Sequence, residues 1–147
     1  MSGVYHWFTR LSVRHKTLLL LAIGLLLAGL INYYLFQPQI LFFEPFHPVR
    51  RSLNDHSFLQ LFLIGYFSDA AWCSALMLVT VVLSEHRVLY FRNKLLIFLL
   101  PFAIEAAQGF GLLKGTFDWY DLLTYGSVEC ASIILFPSLI FPLYEKK

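Results

Sequence analysis

A chain of 147 residues that is 59% hydrophobic, 18% aromatic and 14% charged, with a mean hydropathy of +0.67, carries more apolar surface than one water-soluble core of that size can hide, whereas a bilayer can hold it. The formal net charge of +2, with basic residues scattered among short connections, leaves no electrostatic footprint for nucleic acid. Cys73 and Cys130 lie in apolar runs without CxxC or Cys/His spacing, so they indicate neither a redox pair nor a metal centre and read as small buried side chains.

Arg10, Arg14 and Lys16 precede the first apolar run, and with Trp7 and Phe8 as anchors residues 1–16 read as a short amphipathic segment on the membrane surface. The run 17–36 has the ~20 residues a spanning helix needs and ends without an A-x-A-like cleavage site, so it reads as a retained span. Pro38, Pro45 and Pro48, interleaved with Phe42, Phe43, Phe46, His47, Arg50 and Arg51, make 37–57 a loop against the headgroups. A second run, 58–83, contains Asp69 and then Trp72, and a basic turn with Arg87, Arg92 and Lys94 follows it.

The third run, 95–113, holds Pro101, Glu105 and Gln108. At 1.5 Å per residue Glu105 falls roughly 16 Å from Lys94, near the centre of a bilayer. Lys114 and Gly115 close that run, and Thr116 or Asp118 supplies the cap of the last one, 122–143. The expectation is one domain over 1–147, an all-α bundle of four transmembrane helices. Eight basic residues at the N-terminus, the 87–94 turn and the C-terminus oppose Arg50, Arg51 and Lys114, which places both termini in the cytoplasm of a multi-pass protein.

The chemistry of the chain is concentrated in 105–125, EAAQGFGLLKGTFDWYDLLTY. Glu105 and Gln108 share a helix face with Leu112, Asp118 and Asp121 repeat the three-residue spacing, and Tyr125 lies four beyond Asp121. The short turn makes the last two helices antiparallel neighbours, so Glu105 and Gln108 look across at Tyr125 and Ser127, with Asp69 at similar depth and Glu129 as an extra member of the seam. Arg50 and Arg51 are near enough in the loop to pair with the aspartates. Hydrogen bonds that merely join helices are worth about 1 kcal/mol each. A carboxyl at mid-depth costs more than such a bond returns, so Glu105 reads as functional. His47 and His56 share no helical register and read as solvated loop residues, while His6, His15 and His86 belong to the cytoplasmic flanks.

The pattern Glu105-x-x-Gln108, a glycine-containing turn, then Thr116-Phe117-Asp118-x-x-Asp121 leading into a small-residue span resembles the VanZ-like family of small bacterial membrane proteins. The resemblance covers about residues 95–135. It implies a four-helix unit of the bacterial cytoplasmic membrane whose signature lies in its last two helices, and an association with teicoplanin resistance or other envelope traits. The arginine that often precedes the aspartate turn is absent, Lys114 being the nearest cation, and Tyr125 stands where asparagine is more usual.

Three kinds of function fit these residues. The first is a non-enzymatic envelope protein whose outward seam binds an anionic lipid or lipid-linked cell-wall precursor through Arg50, Arg51 and Lys114, organised by Glu105, Gln108 and Asp121. In a variant the seam relays protons or moves the lipid, which calls for a homo-oligomer or a larger complex. The second is an intramembrane lipid phosphatase or hydrolase with Asp69, Glu105, Asp118 and Asp121 around Mg²⁺; against it stands the lack of a nucleophile and base pair at the seam. The third is a small subunit of a larger membrane assembly. The first is preferred, with no resident metal or cofactor and no catalytic residue assigned.

Overall fold

The computed structural model describes residues 11–36, 62, 65–113 and 117–140, and the account below concerns these. They form four α-helices and no strand: α1 (Val13–Phe36), α2 (Phe67–Glu85), α3 (Phe91–Gly109) and α4 (Trp119–Leu135), followed by one 3₁₀ turn, Pro137–Leu139. Arg14 at the start of α1 meets Glu85 at the end of α2, and Asp118 at the start of α4 meets Glu105 near the end of α3. Neighbours in sequence are therefore antiparallel, and α2 and α4 run parallel.

Each helix end has a local cause. Ser12 caps α1, its hydroxyl accepting from the His15 amide at 3.3 Å, so this helix begins four residues before the apolar run and takes in residues 13–16 of the expected surface segment. Residues 1–10 of that segment lie outside the described residues. α3 starts at Phe91 and stops at Gly109 rather than Leu113. Gly111 adopts φ +69°, the Leu112 amide donates to the Ala107 carbonyl at 2.8 Å and the Gly111 amide to that of Gln108 at 2.9 Å. This pair of bonds is the Schellman stop, and it removes Leu112 from the face of Glu105. α4 begins at Trp119 and ends at Leu135, well before 143. Pro137 disfavours helical φ,ψ at Phe136, found at φ −132°, ψ 78°.

α2 is the core of the bundle, with Ala71, Cys73, Ala75, Met77, Val81 and Val82 almost fully buried. It packs most extensively on α1 and next on α4. Close approach to α1 is made possible by Gly29: a Cβ there would lie 3.4 Å from both Ala71 Cβ and the Ser68 carbonyl oxygen. At the same level the Ser68 hydroxyl donates to Asn32 Oδ1 at 2.8 Å, so the buried Asn32 is satisfied.

Two helices, Val13–Leu35 and Phe67–Glu85, are long and apolar enough to cross a membrane; only 17% of the apolar stretch of the first is buried within the bundle, against 56% for the second. The outer face of α1 carries Leu20, Leu21, Ile23, Leu27, Leu30 and Ile31, each at least half exposed. Leu96, Leu99, Leu123 and Ile134 continue an apolar exterior over α3 and α4. Cys130 is also exposed, contrary to the expectation that both cysteines are buried; only Cys73 is.

Candidate functional site

Apart from Glu129 and Thr80, buried within α4 and α2, the charged and hydrogen-bonding side chains described below lie toward the two ends of the bundle. At the end where α2 and α4 begin and α3 finishes lie Asp69, Glu105, Gln108, Asp118, Asp121 and Tyr125. Three helices supply them, and their bonding is set by the helix ends.

Asp118 is the N-cap of α4, its Oδ1 accepting from the Tyr120 amide at 2.9 Å. In a capping box the residue three positions on, here Asp121, would reach back to the cap's own amide. In this protein Glu105 takes that role from the neighbouring helix: its Oε1 accepts from the Asp118 amide at 2.6 Å. Glu105 is 2% exposed and stands one turn from the end of α3, so it lies at the mouth of the bundle rather than at mid-depth. The early Schellman stop is the reason, because it shortens α3 beyond Glu105.

The substitution of Glu105 for Asp121 leaves Asp121 without a hydrogen bond of its own among the described residues. Its half-buried carboxyl lies within electrostatic reach of Asp69, Glu105 and Asp118. Gln108 is half-buried one turn beyond Glu105.

Tyr125 does not bond Glu105 or Gln108, as the spacing suggested. Its hydroxyl donates to Asp69 Oδ1 at 3.1 Å, the same oxygen that accepts from Trp72 Nε1 at 3.3 Å. The Tyr125 ring packs edge-on against Trp72 and Phe102. Asp69 and Tyr125 are both buried, so this knot joins α2 to α4 out of water. Ser127 is exposed and takes no part. Arg50, Arg51 and Lys114 lie outside the described residues, as does Thr116.

The mouth is rich in acceptors. Asp69, Glu105 and Asp118 are each committed to a donor of the chain, and among the described residues no three His, Cys, Asp or Glu side chains converge to hold a metal ion. The Tyr125 hydroxyl is buried and donates to a carboxylate, and the Thr124 hydroxyl is spent on the Tyr120 carbonyl at 2.8 Å. What the site offers a ligand is the uncommitted carboxyl of Asp121, preceded in the first turn of α4 by two exposed aromatic side chains: Trp119 and Tyr120 are 70% and 62% exposed.

The opposite end holds a second group, which sequence reasoning missed by treating its members as flanking charges. Glu85 accepts from Arg14 at 2.9 and 3.1 Å, pairs with His15 Nε2 at 2.7 Å and accepts from the Ser138 hydroxyl at 3.2 Å. His15 Nδ1 lies 3.3 Å from His86 Nε2. Lys94, expected in a basic turn, is buried in α3 and donates to the Ser138 carbonyl at 2.9 Å. A signal was available: Glu85 is the one acidic residue between Asp69 and Glu105, set among cations. This group clasps α1, α2, α3 and the 3₁₀ turn.

In comparisons with known proteins, no family model matches the chain, and neither a curated protein nor a solved structure matches it.

Proposed function

We propose that the chain is a non-enzymatic, multi-pass protein of the bacterial cytoplasmic membrane, VanZ-like in character, whose outward mouth binds the headgroup of an anionic lipid or lipid-linked envelope precursor. All four helices span, with the Glu85 end in the cytoplasm. α3 and α4 have 19 and 17 residues, near the lower limit of a span, and their apolar exteriors are continuous with that of α1. Both cytoplasmic termini follow from the basic residues around Arg14, Arg87 and Lys94.

The observation that carries the reading is Asp121. Glu105 occupies the amide that Asp121 would otherwise cap, so an unspent carboxyl is kept at the mouth of the bundle, where an idle charge is costly. It suits the hydroxyl or ammonium groups of a headgroup. The phosphate falls to Arg50, Arg51 and Lys114, and Trp119 and Tyr120 sit at the interface as amphipathic anchors.

Native mass spectrometry of the gently extracted protein tests this. The wild type retains a lipid or envelope precursor that Asp121→Asn and Arg50→Ala/Arg51→Ala each lose. Retention of the same lipids by all three proteins refutes the site. A wild type recovered without lipid and at fixed stoichiometry with another protein makes it a subunit of a larger complex instead.

A further inference from the structure

Glu129 has no place in the mouth. It lies two turns into α4 beyond Asp121, roughly 15 Å from the start of the helix at 1.5 Å per residue, on the face that carries Asp121 and Tyr125 at four-residue steps. It is 8% exposed, and its Oε1 is buried without a hydrogen-bond partner among the described residues.

The Tyr125 to Asp69 hydrogen bond sets the register of the parallel helices α2 and α4. One turn further in, Glu129 comes level with Cys73, whose thiol lies within reach of its charge. The result is a descending row: Asp121 at the mouth, then Tyr125 with Asp69, then Glu129 with Cys73. Beneath it Met77, Val81 and Leu139 are no more than 1% exposed and the buried Thr80 hydroxyl is spent on the Leu76 carbonyl at 2.7 Å, a largely apolar plug that separates the row from the Glu85 group.

The titratable groups around Glu129 are few. α2 contributes Cys73 and, one turn up, Asp69; its own helix contributes Tyr125 and Asp121. α3 brings Glu105 only at the mouth, and its Lys94 is engaged at the opposite end by the Ser138 carbonyl. α1 packs chiefly on α2, and among the described residues no basic side chain pairs with Glu129. A buried carboxyl with an unpaired oxygen and no cation is neutralised most cheaply by a proton.

We propose that Glu129 is a proton-binding site inside the bundle that exchanges its proton with water at the mouth, the end of α4 at which Asp121 lies. On unloading, the O–H bond of the Glu129 acid breaks and its proton passes to water at the mouth, leaving the carboxylate; loading is the reverse. Carriage is from one side only, because the apolar plug closes the other. The site rests on the reading of the bundle as membrane-embedded, and not on the headgroup ligand.

The test uses the full chain in lipid nanodiscs and dicyclohexylcarbodiimide, an apolar reagent that adds one-to-one to protonated carboxyls. Peptide mass mapping finds the adduct on Glu129, with a yield that falls at least about tenfold between about pH 5 and about pH 9 as the acid form is lost. Infrared spectroscopy after transfer to D₂O shows a deuterium-shifted acid C=O band that Glu129→Gln removes. A folded wild type unlabelled at Glu129 throughout that range overturns the proposal, as does an acid C=O band that Glu129→Gln leaves unchanged. Should the chain remain monodisperse in water without detergent or lipid, the membrane reading fails and the proton site falls with it.

Discussion

Removing the Glu105 side chain takes away more than a charge, because its oxygen is part of the cap of another helix. Glu105→Ala frees the Asp118 amide, whose bond to the carboxylate measures 2.6 Å. A hydrogen bond to a charged group is worth about 1.5–3 kcal/mol net. Asp121 stands at the capping-box position and is uncommitted, so it can swing onto the freed amide and return about 1 kcal/mol. The expected loss for Glu105→Ala is therefore about 1–2 kcal/mol. Glu105→Gln, which keeps an acceptor oxygen in place, costs less than about 1 kcal/mol. Asp121→Ala alone is nearly neutral, since it breaks no bond and relieves like-charge repulsion. The double variant Glu105→Ala/Asp121→Ala exceeds the sum of its parts by about 1 kcal/mol, because the substitute cap has gone. Equilibrium unfolding in one fixed detergent, followed by helical circular dichroism, measures all four proteins. Additivity within about 0.5 kcal/mol, or equal losses for Ala and Gln at position 105, would refute the borrowed cap.

Gly29→Val pushes a branched side chain against Ala71 Cβ and the Ser68 carbonyl, each 3.4 Å from the nearest added carbon, and costs about 1–3 kcal/mol in the same unfolding assay; Gly24→Ala, with nothing within 4 Å, is neutral or stabilising. Glu85→Ala strips partners from Arg14, His15 and Ser138 and lowers stability by about 2–3 kcal/mol. Arg14→Ala loses less than about 1 kcal/mol by that measure, its side chain being 58% exposed. A small maleimide added to the folded protein in detergent modifies Cys130 and spares Cys73, which is 0% exposed; mass mapping that finds Cys73 modified at a comparable rate would contradict the packing of α2.

The helical runs could be read from apolar composition because each is long and lightly charged, and Asp118 could be read as a cap from residue type and position. Helix ends were harder. Leucine and phenylalanine fill helix and turn alike, so the run 95–113 ran through the stop that Gly109-Phe110-Gly111 encodes, and the run 122–143 ran through Pro137. That four-residue error moved Glu105 from the mouth to the middle of the bundle. The Tyr125 to Asp69 bond was invisible for a different reason: it spans 56 residues, and its register depends on how α2 and α4 settle against each other. Glu85 and Lys94 stand at or near helix termini, where charges ordinarily meet water, and only the folded arrangement reveals that they are buried against partners.

The bond between Asp69 and Tyr125 also orders events during synthesis. Asp69 leaves the ribosome with Trp72 beside it, but its second donor follows 56 residues later. At typical elongation rates the wait is roughly 3–10 s. Through that interval a carboxyl at the head of α2 stays half-satisfied, so the α1–α2 hairpin is assembled with one acid awaiting the last helix. Delivery of α4, rather than insertion of the earlier segments, is then the step that commits the bundle to its final arrangement.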